Sequence, residues 1–208
     1  MEKQKPDYSF ELSAAKAGCL YISGVDEVGR GPLAGPVVAA AVRLNPDAIP
    51  EGLNDSKKLN AASRDRLAEE IRETCDWCVA EASVEEIDQI NILHASMLAM
   101  ERAVAGLPKN SDRVLVDGNR VPPGLSEIGE PIVKGDARSL SIAAASIVAK
   151  VWRDQLMVDL AQQHPGYGWD RNAGYPTKEH QLALQKIGVT PHHRRSFKPV
   201  HNILYQEK

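Results

Sequence analysis

Residues 36–44, PVVAAAVRL, run apolar almost without interruption. A strand of that composition is buried on both faces of its sheet. Burial on both faces requires helices on both sides, so this run makes the chain an α/β protein with a covered mixed sheet. Further strands are expected at 19–25, 77–82, 113–117 and 130–134. Helical spacing of apolar residues predicts helices over 63–75, 83–105, 139–163 and 177–186. Ser63 is the expected N-cap of the first of these. Ser83 and Glu86 form a capping box for the second, and Gly106 and Pro108 stop it. On the 139–163 helix, Trp152 and Met157 are expected in the core.

With 208 residues, 43% of them hydrophobic, the chain buries a sizeable core without disulfides or a structural metal. One domain is expected, in three parts: a polar N-terminal extension over 1–16, a core over 17–164, and a C-terminal segment over 165–208 packed on the core as a small helical subdomain. The last part is set off by composition, since five of the six histidines lie at or beyond residue 164. Twenty-five basic against 28 acidic residues give a net charge of −3, which excludes a wholly basic surface but leaves room for a local basic face. No apolar run reaches the ~18–20 residues needed to cross a bilayer, and the first twelve residues lack the apolar stretch of a secretory signal. The cytoplasm is the expected location. Three cysteines agree with a reducing compartment, and Cys75 and Cys78, a C-x-x-C without a second half, are read as small packed side chains.

The anomaly is acidic. Three apolar runs end in carboxylates: Val25-Asp26-Glu27, Val114-Leu-Val-Asp117 and Ile132-Val-Lys-Gly135-Asp136, each with a glycine within two residues. An unpaired carboxylate in a sheet core is costly. One such acid is most simply a turn residue, and Asp136 alone reads as a helix-capping acid. If the three strands are neighbours, however, four carboxylates converge, and four hard oxygen donors without His or Cys suit Mg²⁺ or Mn²⁺. Asp26 and Glu27, being adjacent, point to opposite faces of a regular strand. Gly29-Arg30-Gly31 follows directly, and glycines on both sides of an arginine expose backbone N–H groups to a phosphodiester.

Several segments carry a family resemblance: GVDEVGRGPLAGPVVAAAV (24–42), LNDSKKL (53–59), IDQINILHASMLAM (87–100), VLVDGN (114–119), VKGDARSLSIAAASIVAKVWRD (133–154), GYPT (174–177) and HHRRSF (192–197). In this order they resemble bacterial type 2 ribonuclease H, ribonuclease HII. The resemblance implies a ribonuclease H-like mixed sheet flanked by helices. It also implies an endonuclease that hydrolyses the RNA strand of RNA/DNA hybrids and cuts 5′ of single ribonucleotides in duplex DNA. Carried over, the family's four acids fall on Asp26, Glu27, Asp117 and Asp136. Its backbone- and 2′-OH-reading motif falls on Gly29, Arg30 and Gly31, and its junction-sensing tyrosine on Tyr175. One departure is Ala173, where many members carry a lysine.

Two divalent ions clamped by shared carboxylates neutralise charge on both sides of an in-line phosphodiester displacement, leaving 3′-OH and 5′-phosphate ends. On this reading Asp26 bridges the ions. From spacing alone Tyr175 is a half-buried turn residue; with the resemblance it reads the 2′-OH and the next sugar. Arg194, Arg195 and Lys198 lie in a stretch without acids from 181 to 206 and are expected to hold the duplex, with Lys57 and Lys58 adding to the basic face. His192 and His193, beside two arginines, are expected at the surface or on phosphate. The expected partners are RNA/DNA hybrid and ribonucleotide-containing duplex DNA, with the chain monomeric and no membrane involved. A junction resolvase would use the same acids and ignore the 2′-OH. A silent binding module would lack one of the acids, and none is missing.

Overall fold

The computed structural model describes residues 5–205. In chain order it comprises α1 (Ser9–Lys16), β1 (Ile22–Val28), β2 (Val37–Arg43), α2 (Ala61–Thr74), β3 (Asp76–Ala82), α3 (Val84–Ala105), β4 (Arg113–Asp117), β5 (Gly129–Ile132), α4 (Leu140–Gln163), α5 (Trp169–Asn172), α6 (Lys178–Ile187) and α7 (Lys198–Tyr205). The five strands form one mixed sheet in the order β3-β2-β1-β4-β5. β2 lies antiparallel between β1 and β3, whereas β1, β4 and β5 run parallel. Every residue of β2 up to Val42 is buried, as its apolar run requires.

Alternation along the strands sends Val25, Val37, Ala39, Ala41, Val114 and Val116 to the face covered by α3. Ala40 and Val42 face α2 and the alanine-rich first half of α4. The small side chains bring α4 close. At Gly24 a Cβ would stand 2.3 Å from the backbone carbon of Ser141, so α4 crosses β1 at a distance only glycine permits.

Several local signals appear as expected. Ser83 and Glu86 form the capping box of α3, which bends at Asn91, where φ is 64°. The Asn91 side chain accepts from the amides of Leu93 and His94 and so restarts the helix. Others differ. Asn60, rather than Ser63, caps α2: its side chain accepts from the Ser63 amide at 2.8 Å. Trp152 is 40% exposed, its indole N–H donating at 3.1 Å to Glu81 on the edge strand β3. Met157 is fully buried, beneath the C-terminal segment.

The stretch expected as a polar extension is helical from Ser9, while residues 1–4 lie outside the described part. It docks through a charge: Glu11, 1% exposed, accepts from the Ser139 hydroxyl at 2.7 Å and the Ser141 amide at 2.9 Å. That carboxylate sits at the N-terminal end of α4, where helix amides lack partners. At the other end, Tyr167, Trp169, Ala183, Leu184 and Val200 share one apolar cluster with Leu33, Ala34 and Met157, so the C-terminal helices pack on the core and on the loop after β1.

Candidate active site

The parallel arrangement of β1, β4 and β5 brings their C-terminal ends to one edge of the sheet. Val25 pairs with Val116 and Asp117 with Ile132, so Asp26 and Asp117 stand at neighbouring positions on that edge. A 3₁₀ turn, Gly135–Ala137, follows β5. The Asp117 carboxylate accepts from the amides of Gly135 at 2.7 Å and Asp136 at 3.4 Å, which ties the third acid to the fourth. Gly135 is needed there, since a Cβ would lie 3.2 Å from the Asp117 carboxylate and 2.5 Å from Ile142.

β1 remains paired with β2 through Asp26, Glu27 and Val28, so its alternation continues. Asp26 falls on the α4 side with Gly24, and Glu27 on the α3 side with Val25. The two acids straddle the sheet's end, next to Asp117 on the neighbouring strand β4. Their electrostatics report the crowding. Burial, then Glu27, Asp117 and Asp136, hold the Asp26 carboxyl well above the ordinary carboxylate range. Burial likewise raises Glu27, against the opposing pull of Arg30, and raises Asp136, with Asp117 and Asp55 adding to it.

Basic groups flank the acids. Arg30 donates to Glu27 at 3.1 Å. Lys57, on a 3₁₀ turn (Ser56–Lys58) capped by Asp55, places its ammonium 3.9 Å from Asp136. Lys58 turns instead to Asp55. On the α3 side, Glu27, Arg30, Leu93, Ser96, Met97, Asp117, Gly118, Asn119 and Arg120 line a cleft of about 350 Å³. Arg120 went unnoticed in the sequence reading, although a basic residue three positions after a strand-end acid was the available signal. Among the described residues no three acid, His or Cys side chains close into a metal cluster by themselves, and no ion pair neutralises Asp26. An all-oxygen donor set with a crowded, buried carboxyl fits a hard divalent cation.

Gly29-Arg30-Gly31 and Tyr175 meet. A Cβ on Gly31 would lie 3.2 Å from the Tyr175 ring, and Tyr175 is 45% exposed. Its backbone is pinned from below. His180 sits 3.0 Å from the Tyr175 carbonyl through Nδ1, and its Nε2 receives the Trp169 indole N–H at 3.1 Å and lies 3.0 Å from His193.

Two expectations about the tail are corrected. Arg194 is fully buried and cannot touch a duplex: its guanidinium donates to the carbonyls of Gly29, Arg30, Pro32, Gly35 and Pro36. A guanidinium has five donors in a planar fork, and a loop rich in glycine and proline offers unpaired carbonyls. His193 is also fully buried, packed edge-on or tilted against the rings of Tyr167, Trp169 and His180, while His192 is half-buried. Arg195 and Lys198 are exposed, as expected of them; Asp88 holds the amides of Arg195 and Ser196 at 2.9 Å.

The comparisons with known proteins bear on the family and the fold. The family model described as Ribonuclease HII matches residues 23–200. The Ribonuclease HII of Ruegeria pomeroyi is 70% identical over 203 residues, covering 98% of this chain and 87% of that protein. Among solved structures, the ribonuclease H2 of Pyrococcus horikoshii superposes with a TM-score of 0.73 at 27% identity, over 88% of this chain and 97% of that one. Bst-RNase HIII in complex with Mn²⁺ shares the fold, with a TM-score of 0.74 at 23% identity over 93% of this chain and 72% of that one. A matched model spanning nearly the whole sheet, a close relative along the full length and a shared fold lead to one conclusion: the chain belongs to the ribonuclease HII family and is a metal-dependent endoribonuclease.

Proposed function

We propose that the protein cuts the RNA strand of RNA/DNA hybrids and incises duplex DNA on the 5′ side of a single embedded ribonucleotide, with two divalent ions at the acid cluster. The observation that carries this reading is the meeting, at one sheet edge, of four carboxylates with a glycine-flanked arginine and an exposed tyrosine ring. Asp26, Glu27, Asp117 and Asp136 would hold the ions, and Mg²⁺ or Mn²⁺ suits their oxygen donors; the neighbour solved with Mn²⁺ supports a divalent ion of this kind. When bound, such ions neutralise the charge of an in-line phosphodiester displacement and activate water.

The chain's own groups do the rest. Arg30 and Lys57 set positive charge beside Glu27 and Asp136, where a polyanion must approach a carboxylate cluster. The amides of Arg30 and Gly31, which donate to no acceptor among the described residues, offer hydrogen bonds to a phosphate or a 2′-OH. Tyr175 presents a flat face and a polar tip to one sugar. Water needs no 2′-OH as nucleophile, so the ends are 3′-OH and 5′-phosphate. Arg195 and Lys198 supply charge for the duplex further from the cut.

The test compares three duplexes, one with a single ribonucleotide, one a hybrid and one all DNA, each with and without Mg²⁺. Metal-dependent cleavage of the first two alone, with 5′-phosphate products, is expected. A 2′,3′-cyclic phosphate product or equal cleavage of the all-DNA duplex overturns the reading.

A further inference from the structure

The loop between β1 and β2 is held by two buried arginines that have no carboxylate partner among the described residues. Arg153, on α4, is 1% exposed and Arg194 fully buried. Among the described residues neither forms an ion pair. A buried, unpaired guanidinium is costly, and burial lowers Arg153 to about 10 and Arg194 to about 9.

Their hydrogen bonds have one destination. Arg153 donates to the carbonyls of Pro36, Ala34 and Ala173. The five carbonyls that the Arg194 guanidinium reaches are joined by Leu33, which accepts from the Arg194 amide at 2.8 Å. Every carbonyl from Gly29 to Pro36 except that of Gly31 is therefore turned inward onto these two residues. The loop's amides at Arg30 and Gly31 donate to no acceptor among the described residues. Arg153 also reaches Ala173, two residues before Tyr175, so one side chain spans both halves of the recognition site. Gly29 has to be a glycine beneath this layer: its φ is 94°, and a Cβ would lie 2.2 Å from Arg153 Nε.

We infer that Arg153 and Arg194 are the positioning residues for ribose recognition: by gathering the carbonyls of 29–36 and 173 they aim the free amides of Arg30 and Gly31, and the Tyr175 ring, at one sugar-phosphate unit. Their two positive charges are held on the loop's own carbonyls, which favours an anionic phosphodiester against that loop. The inference rests on the reading of Gly29-Arg30-Gly31 and Tyr175 as the ribose-reading site.

The experiment measures the affinity of the full chain, in Ca²⁺, for a single-ribonucleotide duplex and for the all-DNA duplex of the same sequence, well below the melting temperature of each variant. Arg194→Lys keeps the charge and loses the fork. Arg153→Lys loses the tie to Ala173 and leaves Arg194 in place, and serves if Arg194→Lys does not fold. Gly31→Ala tests the underlying reading. A misdirected hydrogen bond to a 2′-OH is worth up to about tenfold in affinity, so the ratio of the two affinities is expected to fall about tenfold in both lysine variants, with all-DNA binding changed little. A folded lysine variant with a lower melting temperature but an unchanged ratio, while Gly31→Ala loses it, overturns the positioning role and leaves two loop staples. An unchanged ratio in Gly31→Ala overturns the ribose-reading assignment itself, and the inference with it.

Discussion

Gly31 lies directly against the ring of Tyr175, a Cβ at position 31 falling 3.2 Å from Cε1 and 3.8 Å from Cδ1. The contact joins the loop after β1 to the turn before α6, and on the proposed reading it sets which sugar the tyrosine meets. Tyr175→Ala is expected to lose about a hundredfold in cleavage of a single embedded ribonucleotide, and much less on a long hybrid, where many registers present a 2′-OH. Steady-state rates on the two substrates check it; equal losses would make Tyr175 a general binding residue.

Asp26→Asn removes the most crowded charge and keeps the shape. Cleavage should fall by several orders of magnitude at saturating Mg²⁺. Stability without metal should hold or rise, since burial and three neighbouring carboxylates disfavour the Asp26 anion. Thermal melts with and without Mn²⁺ give a second readout: wild type should be stabilised by the ion and the variant much less so.

Replacing Arg195 and Lys198 by Ala should weaken duplex binding similarly for all sequences and flatten its salt dependence by roughly one to two units of slope. Arg194→Ala should behave differently, lowering the melting temperature because it strands buried carbonyls. Binding isotherms at several salt concentrations, with melts alongside, separate the two.

Acid should unlock the C-terminal cluster. Burial, with His180 adding to it, depresses His193 from 6.5 to about 3, and burial lowers His180 and His192 too. A depressed histidine means that the unfolded chain binds more protons, so this contribution to stability is complete above about pH 6.5 and is lost as pH falls toward 3. The raised Asp26 works in the opposite direction, its contribution being present at low pH and lost as pH rises. Asp26→Asn should therefore show a steeper loss of stability on acidification than wild type, and His193→Gln a shallower one, in melts between pH 7 and 4.

The layered fold and the acid edge were legible because they rest on local pattern: the uninterrupted β2 run, acids at strand ends, a capping box at Ser83. Arg194 was misread because HHRRSF has the composition of a solvated basic tail, and only the tertiary fold shows that the first of its arginines faces loop carbonyls while the second faces water. Asn60 displaced Ser63 as a cap for a similar reason, both being good cap residues three apart. Glu11 gave no signal at all, an acid in a polar stretch being indistinguishable from surface.

That glutamate reaches further than its position implies. Its carboxylate and the backbone of Asp7 between them hold Leu140 N, Ser141 N and the Ser139 hydroxyl, a few residues past Asp136. A fragment beginning at Gly18 would keep every strand and all four acids, yet α4 would start with its first amides unclaimed and the turn bearing Asp136 would be tethered from one side only. The acid edge is thus buttressed by a helix outside its sheet, and a trimmed chain that still folds should register the missing helix first as a slower cut.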